Sequence, residues 1–206
     1  MNAEELGKRF ARLVTDAVVR RPVLWRLFRA PLRFQFQKLA PGWDGRRSPA
    51  RVEAYEAALA AVPAAPRRAL DLGTGTGDGA FALARRFPEA EVVGADLAPA
   101  MIEEARRKTP PELEPRVRFQ VADASRLPFA DGEFDLVARN NMIPFFDELT
   151  RVLTAGGRVV LAFSAGAQTP IYVEPERLRR ELARRGFAEF ADFSVGGGTA
   201  LTAKLH

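Results

Sequence analysis

Four aspartates and four glycines carry the chemistry that is legible in this chain. The stretch "ALDLGTGTGDGAFALARRF" runs from Ala69 to Phe87. A short apolar run ends in Asp71, glycines follow at positions 73, 75, 77 and 79, and Asp78 opens a helix-like segment. Gly75, Gly77 and Ala80 fit G-x-G-x-x-A, a turn that brings backbone close to a nucleotide. Asp96 lies 19 residues beyond Gly77, where an acid that accepts from ribose hydroxyls belongs. The spacing asks for a ribose-bearing ligand. It does not ask for phosphate.

Charge narrows the ligand. Asp71 and Asp78 flank the glycines, so a pyrophosphate would face carboxylates at close range. Like charges ~4 Å apart repel by roughly 4 kcal/mol at an effective dielectric near 20, and a cation is favoured by as much. S-adenosylmethionine meets this demand: it has a ribose, an adenine, a sulfonium and an ammonium, and no phosphate. Its carboxylate can use the helix N-terminus. Other chemistries are disfavoured by composition. There is no cysteine, and the single histidine is the last residue, His206. Thiolate sites, a cysteine nucleophile and a histidine triad are therefore not expected, and no metal is implied.

The elements that must hold these residues read as follows. From Arg67 onward, short β-type runs alternate with helical ones: "RALDL", "AEVVGAD", "RVRFQVAD", "FDLVAR" and "GRVVLAF" against "GAFALARRF", "PAMIEEARRK", "PFFDELTRVL" and "EPERLRRELARRG". This alternation predicts a parallel sheet covered by helices. "FAEFADFSV", "GGG" and "TALTAKL" predict a closing antiparallel hairpin. Upstream, Leu6, Phe10, Leu13, Val14, Ala17 and Val18 share helical spacing. Pro22 and Pro31 are expected to break the following stretch into short pieces. A second helix is expected from Ser48 (N-cap) and Pro49, with Val52, Tyr55, Leu59 and Val62 as its apolar face. The division is an N-terminal helical extension over 1–62 and an α/β domain over 67–206.

In order and spacing, these motifs resemble class I S-adenosylmethionine-dependent methyltransferases of the small-molecule, methyltransferase-11-like branch. "ALDLGTGTGDG" resembles the first motif and "VVGADLAPAMIEEARRK" the second. "VRFQVADASRLPFADGEFDLV" resembles the third- and fourth-strand signatures, and "LTRVLTAGGRVVLAF" the fifth-strand segment. The resemblance implies a Rossmann-like seven-stranded sheet with an inserted antiparallel strand. It also implies a cofactor site. Asp71 and the backbone of Gly73, Thr74, Gly75 and Gly77 would hold the amino-acid end, and Asp96 the ribose. Leu97 and Met101 would line the adenine, Asp123 would take its amino group with Ala124 alongside, and Asn140 would lie near the transfer point. The product would be S-adenosylhomocysteine.

The acceptor side is less determined. "RNNMIPFF" (Arg139 to Phe146) is one residue too long for the nucleic-acid adenine methyltransferase motif, so a helix start at Pro144 with Phe145 and Phe146 facing the core is preferred. The helix normally found there is contracted, and no histidine is present to act as base. Trp43, Asn141, Tyr172 and Glu174 are the candidate substrate contacts; no catalytic residue is singled out. The N-terminal segment holds Arg20, Arg21, Arg26, Arg29, Arg33 and Lys38 with no acid between Asp16 and Asp44. Three readings of residues 20–43 stand: helices with a solvated arginine face, a lid over the site, or a membrane-surface or nucleic-acid patch.

The expected function is methyl transfer to the O, N or C atom of a small molecule, with nucleic acid disfavoured as a partner. The alternatives are an RNA or protein methyltransferase docking through the basic N-terminus, and a non-catalytic S-adenosylmethionine-binding module. An NAD-dependent oxidoreductase is disfavoured by Asp71, Asp78 and the hairpin. No apolar run approaches the ~20 residues of a membrane span, and the first residues lack an apolar signal core, so the expected location is cytoplasmic, as a monomer or homodimer.

Overall fold

The computed structural model describes residues 3–46 and 52–206; Ser48 and Pro49, the expected start of the second helix, lie outside them. The N-terminal extension comprises α1 (Ala3–Arg20), α2 (Trp25–Leu39) and α3 (Glu53–Ala60). The α/β part follows as β1 (Arg68–Leu72), α4 (Asp78–Arg86), β2 (Glu91–Asp96), α5 (Pro99–Lys108), β3 (Val117–Val121), β4 (Phe134–Asn140), α6 (Phe146–Val152), β5 (Leu153–Phe163), α7 (Pro175–Ala183), β6 (Phe187–Val195) and β7 (Gly198–Leu205).

The strands form one seven-stranded sheet in the order β3-β2-β1-β4-β5-β7-β6. β1 to β5 are parallel, and β7 runs antiparallel to both β5 and β6. The expected hairpin is present, with β7 inserted between β5 and β6. The strand order reverses between β1 and β4, so the crevice for a ligand opens at their carboxyl ends.

Alternation along the strands divides the core into two layers. Leu70, Leu72, Val137, Leu161 and Phe163 face a layer built with α1, α6 and α7. Ala69, Leu136, Ala138, Val160 and Ala162 face the layer of α3, α4 and α5, where Tyr55, Leu59 and Val62 are buried as expected. Phe145 and Phe146 are also buried, although α6 starts at Phe146 rather than at Pro144.

Two expectations about the extension are corrected. Pro31 does not break the chain; it lies inside the continuous helix α2. The carbonyl it leaves without a helical donor is that of Leu27, which is 68% exposed, so water can satisfy it. The apolar stripe of α1 also divides. Val14 and Val18 enter the core, whereas Leu6, Phe10 and Leu13 face solvent. Among the described residues no helix is long and apolar enough to cross a membrane.

Candidate functional site

β1 delivers Asp71 to the start of the glycine loop, and the loop closes on the neighbouring strand: Gly73 and Thr74 donate their N–H groups to the Ala95 carbonyl (2.8 and 3.0 Å). Gly77 has φ +96°, and a Cβ there would meet the Phe119 and Phe81 rings at 3.0 Å, so the position needs glycine twice over. A Cβ on Gly79 would lie 2.5 Å from Asp71 Oδ2. The Asp71 carboxylate is therefore lodged against the first turn of α4.

Asp71, expected at the amino-acid end of a cofactor, is tied to two other side chains. It is only 2% exposed and accepts from Thr74 Oγ1 (2.6 Å) and Tyr55 OH (3.4 Å). Burial, then the neighbouring Asp71 charge, pushes the Tyr55 phenol well above its ordinary pKa. Asp71 braces the loop from behind. Asp78 is tied as well: it accepts from Lys108 Nζ (2.9 Å), which also pairs with Asp44 (2.6 Å). It is not the bare negative charge its position suggested.

Asp96 ends β2. Its Oδ2 accepts from Gly75 N–H (3.0 Å) and its Oδ1 from Ala98 N–H (2.9 Å), which ties the acid to the glycine loop and to the turn before α5. Burial raises its pKa, against the lowering effect of these backbone donors. Met101 is fully buried with Ala98 and Ala40, and Leu97 is half-buried. Asp123, two residues past β3, accepts at Oδ1 from Trp25 Nε1 (2.8 Å), Ser125 N–H (2.9 Å) and Ser125 Oγ (2.7 Å). Arg29 stands 3.7 Å from its Oδ2. Ala124 beside it is buried.

The extension runs along this whole rim. Trp25 reaches Asp123, Gln37 Oε1 accepts from Ala100 N–H at the start of α5 (3.1 Å), and Asp44 Oδ1 accepts from Thr76 Oγ1 in the loop (2.6 Å). Trp43 packs edge-to-face on Phe36 (5.8 Å) and against the Ala40–Ala98–Met101 cluster. It lies on the β2 side, away from the other three candidate substrate contacts.

Asn141 follows β4, Tyr172 packs on the end of β5, and Glu174 stands near Tyr172. Asn141, at φ +56°, donates its Nδ2–H to Ser164 Oγ (2.7 Å) and accepts from Ser164 N–H (2.8 Å), pinning β4 to β5. Tyr172 packs on Phe163 (5.1 Å) and lines a cavity of about 140 Å³ with Leu161, Val173 and Thr199. Its phenol is raised by burial and by nearby Glu174, which is exposed at the head of α7. Asn140 keeps a buried Oδ1 without a partner. Met142 lies against the glycine loop: a Cβ on Gly73 would meet its Sδ at 2.8 Å.

Sequence reasoning missed Arg139. It is fully buried at the end of β4, donates Nη1–H to the Met142 carbonyl and stacks over the Phe163 ring at 4.6 Å. Its Nε and Nη2 have no partner among the described residues, and burial pushes its pKa down to about 9. The available signal was a charge in "FDLVAR" on the same strand face as Val137.

Comparison with known proteins agrees with this architecture. Residues 69–160 match the family described as Methyltransferase domain. A demethylmenaquinone methyltransferase of Thermus thermophilus is 52% identical over 109 residues, 49% of this chain and 49% of that protein. A malonyl-acyl-carrier-protein O-methyltransferase of Legionella pneumophila is 44% identical over 100 residues, 45% of this chain and 34% of that protein. The chain spans about half the length, or less, of these curated relatives. An S-adenosylmethionine-dependent methyltransferase from Aquifex aeolicus shares the fold, with TM-score 0.63 at 16% identity over 84% of this chain and 98% of that one. The segment that carries the glycine loop, Asp96 and Asp123 thus matches a methyltransferase domain.

Proposed function

We propose that this chain transfers a methyl group from S-adenosylmethionine to a small-molecule acceptor. The observation that carries the reading is the donor set at the crevice: Asp96 and Asp123 present carboxylate acceptors on either side of α5, and the nearby Lys108 is committed to Asp44 and Asp78. Carboxylates suit hydroxyls, an amino group and a cation; they repel a pyrophosphate.

When bound, S-adenosylmethionine supplies a sulfonium methyl whose carbon–sulfur bond breaks with the electron pair kept on sulfur while an acceptor pair forms the new bond. The chain's residues orient and enclose. Asp96 would accept from the ribose hydroxyls with the remaining lone pairs of its two oxygens, each of which takes one backbone donor. Asp123 would accept the adenine amino group at Oδ2, with Ala124 beside it and Leu97 and Met101 on the ring. The Gly73–Gly77 backbone would hold the amino-acid end, with Asp71 bracing it. Asn140 would lie near the transfer point. Alignment of donor and acceptor can supply ~7–11 kcal/mol of the barrier without a general base.

Residues 25–44 act as a lid in this reading, since they touch the Asp123 carboxylate, α5 and the glycine loop in turn. The relatives' names point to acceptors with carbon or oxygen nucleophiles, and identity is higher to the demethylmenaquinone enzyme. A demethylated naphthoquinol is therefore the first acceptor to test. With methyl-labelled donor, label should move to the quinol and S-adenosylhomocysteine should accumulate. If neither this quinol nor a malonyl thioester is labelled, the small-molecule reading fails. A second observation favours membrane-surface contact by the extension: Leu6, Phe10, Leu13, Val23, Leu27 and Phe34 are exposed on α1, α2 and the turn between them, among basic residues. Cosedimentation with anionic but not neutral vesicles would support it; binding to neither would refute it.

A further inference from the structure

Arg139 is buried completely, yet no carboxylate pairs with it among the described residues. One face of the guanidinium lies over Phe163, and one nitrogen reaches the Met142 carbonyl. Nε and Nη2 keep their hydrogens unmatched. Removing an unpaired charge from water is strongly unfavourable, and such groups persist where a ligand completes them. The place is the right one. Arg139 is paired with Leu161 at the β4–β5 edge, one residue from Asn140 and three from Met142, which touches the glycine loop at Gly73. Phe163, beneath the guanidinium, also lines the cavity of about 140 Å³ shared with Tyr172. The guanidinium is therefore flanked by Phe163, which walls a cavity with Tyr172, and by the Met142 segment, which touches the glycine loop.

Resting on the methyltransferase reading above, we propose that Arg139 is the binding group for an anionic oxygen of the methyl acceptor. The acceptor class is then an ionised enol, phenol or carboxylic acid rather than an amine. An arginine fork can give a carboxylate two parallel hydrogen bonds from Nε and Nη2, or a single enolate or phenolate oxygen two converging ones. The same contact would hold the electron-rich oxygen form that makes the acceptor nucleophilic. A cationic amine acceptor would meet repulsion instead.

The test uses the full chain saturated with S-adenosylhomocysteine and two probes of similar shape, 2-naphthoate and neutral 2-naphthalenemethanol. Thermal unfolding should shift upward with the naphthoate and not with the alcohol. In Arg139→Met, naphthoate affinity should fall about ten- to hundredfold and the discrimination should vanish, while S-adenosylhomocysteine affinity stays within about threefold of wild type by calorimetry. Arg139→Lys should keep part of the discrimination, since the charge remains. Without any ligand, Arg139→Met should unfold at or above the wild-type temperature. Equal response to both probes in wild type overturns the proposal. So does an Arg139→Met chain that still discriminates, or one that unfolds well below wild type, which would make the arginine a packing element. Failure of S-adenosylhomocysteine to bind wild type would overturn the methyltransferase reading, a separate outcome.

Discussion

At the ends of β1 and β2 and just beyond β3, each aspartate is held by at least two donors: Asp71 by Tyr55 and Thr74, Asp96 by Gly75 and Ala98, Asp123 by Trp25 and Ser125. At the end of β4 the pattern differs: Asn141 is paired with Ser164, but Arg139 and Asn140 bury polar atoms that have no partner among the described residues. The first region is preorganised, with its acceptors aimed and fixed before a ligand arrives. The second holds unfilled hydrogen-bonding capacity, which is where an acceptor molecule would be selected. A generic cofactor can be served by a rigid, satisfied frame, whereas a particular acceptor needs groups that only it completes.

The largest effect that would sharpen this contrast concerns Arg139. Replacing an unpaired buried charge by an apolar side chain is neutral to stabilising, by about 1–4 kcal/mol, so Arg139→Met should match or exceed wild type in denaturant unfolding. The gain depends on pH with a definite sign. The folded pKa lies near 9, below the ordinary arginine value. Above pH 9 the unfolded chain therefore binds more protons than the folded one, and wild-type stability gains with pH from this group. The advantage of Arg139→Met should be full below pH 9 and shrink above it; an advantage constant from pH 7 to 10.5 would contradict the burial account.

Gly79→Ala attacks the satisfied region instead. Its Cβ would sit 2.5 Å from a carboxylate oxygen that is itself buried, so the loss should be about 1–3 kcal/mol by urea unfolding, with weakened cofactor binding. A neutral result would mean Asp71 is free to move. Trp25→Phe keeps the edge-to-face packing on Phe145 (5.3 Å) but removes the indole donor to Asp123. We expect about 1–2 kcal/mol lower stability. Faster proteolysis within residues 25–44 should accompany it if this contact holds the lid. The smallest effect belongs to Asp44→Ala. Its ion pair with Lys108 is half exposed, so stability should change by less than about 1 kcal/mol, while exchange of amides in residues 25–44 should quicken.

What could be read in advance follows the same division. The sheet and glycine loop were legible because each depends on local pattern: alternation, a run of glycines, an acid at a fixed distance. The hairpin was legible from its glycine turn. Helix α2 was not, because a proline's missing donor matters only where the orphaned carbonyl is buried, and Leu27 is exposed. The face of α1 was misread because spacing cannot say which part of a stripe has something to pack on; Leu6, Phe10 and Leu13 do not enter the core. Asp71 and Asp78 kept their expected positions but not their expected freedom, since Thr74, Tyr55 and Lys108 reach them from segments 3 to 30 residues away. Arg139 escaped notice for a related reason: its isolation is a property of three packed elements and leaves no spacing to count.

The central claim is that the carboxylate ending β2 grips a cofactor lying across the glycine loop. Calorimetric titration of S-adenosylhomocysteine into wild type and Asp96→Ala tests it most directly. The account predicts one site in wild type and at least about a hundredfold weaker binding in Asp96→Ala, the loss of two charge-assisted hydrogen bonds. No binding to wild type, or equal binding to both chains, would contradict it.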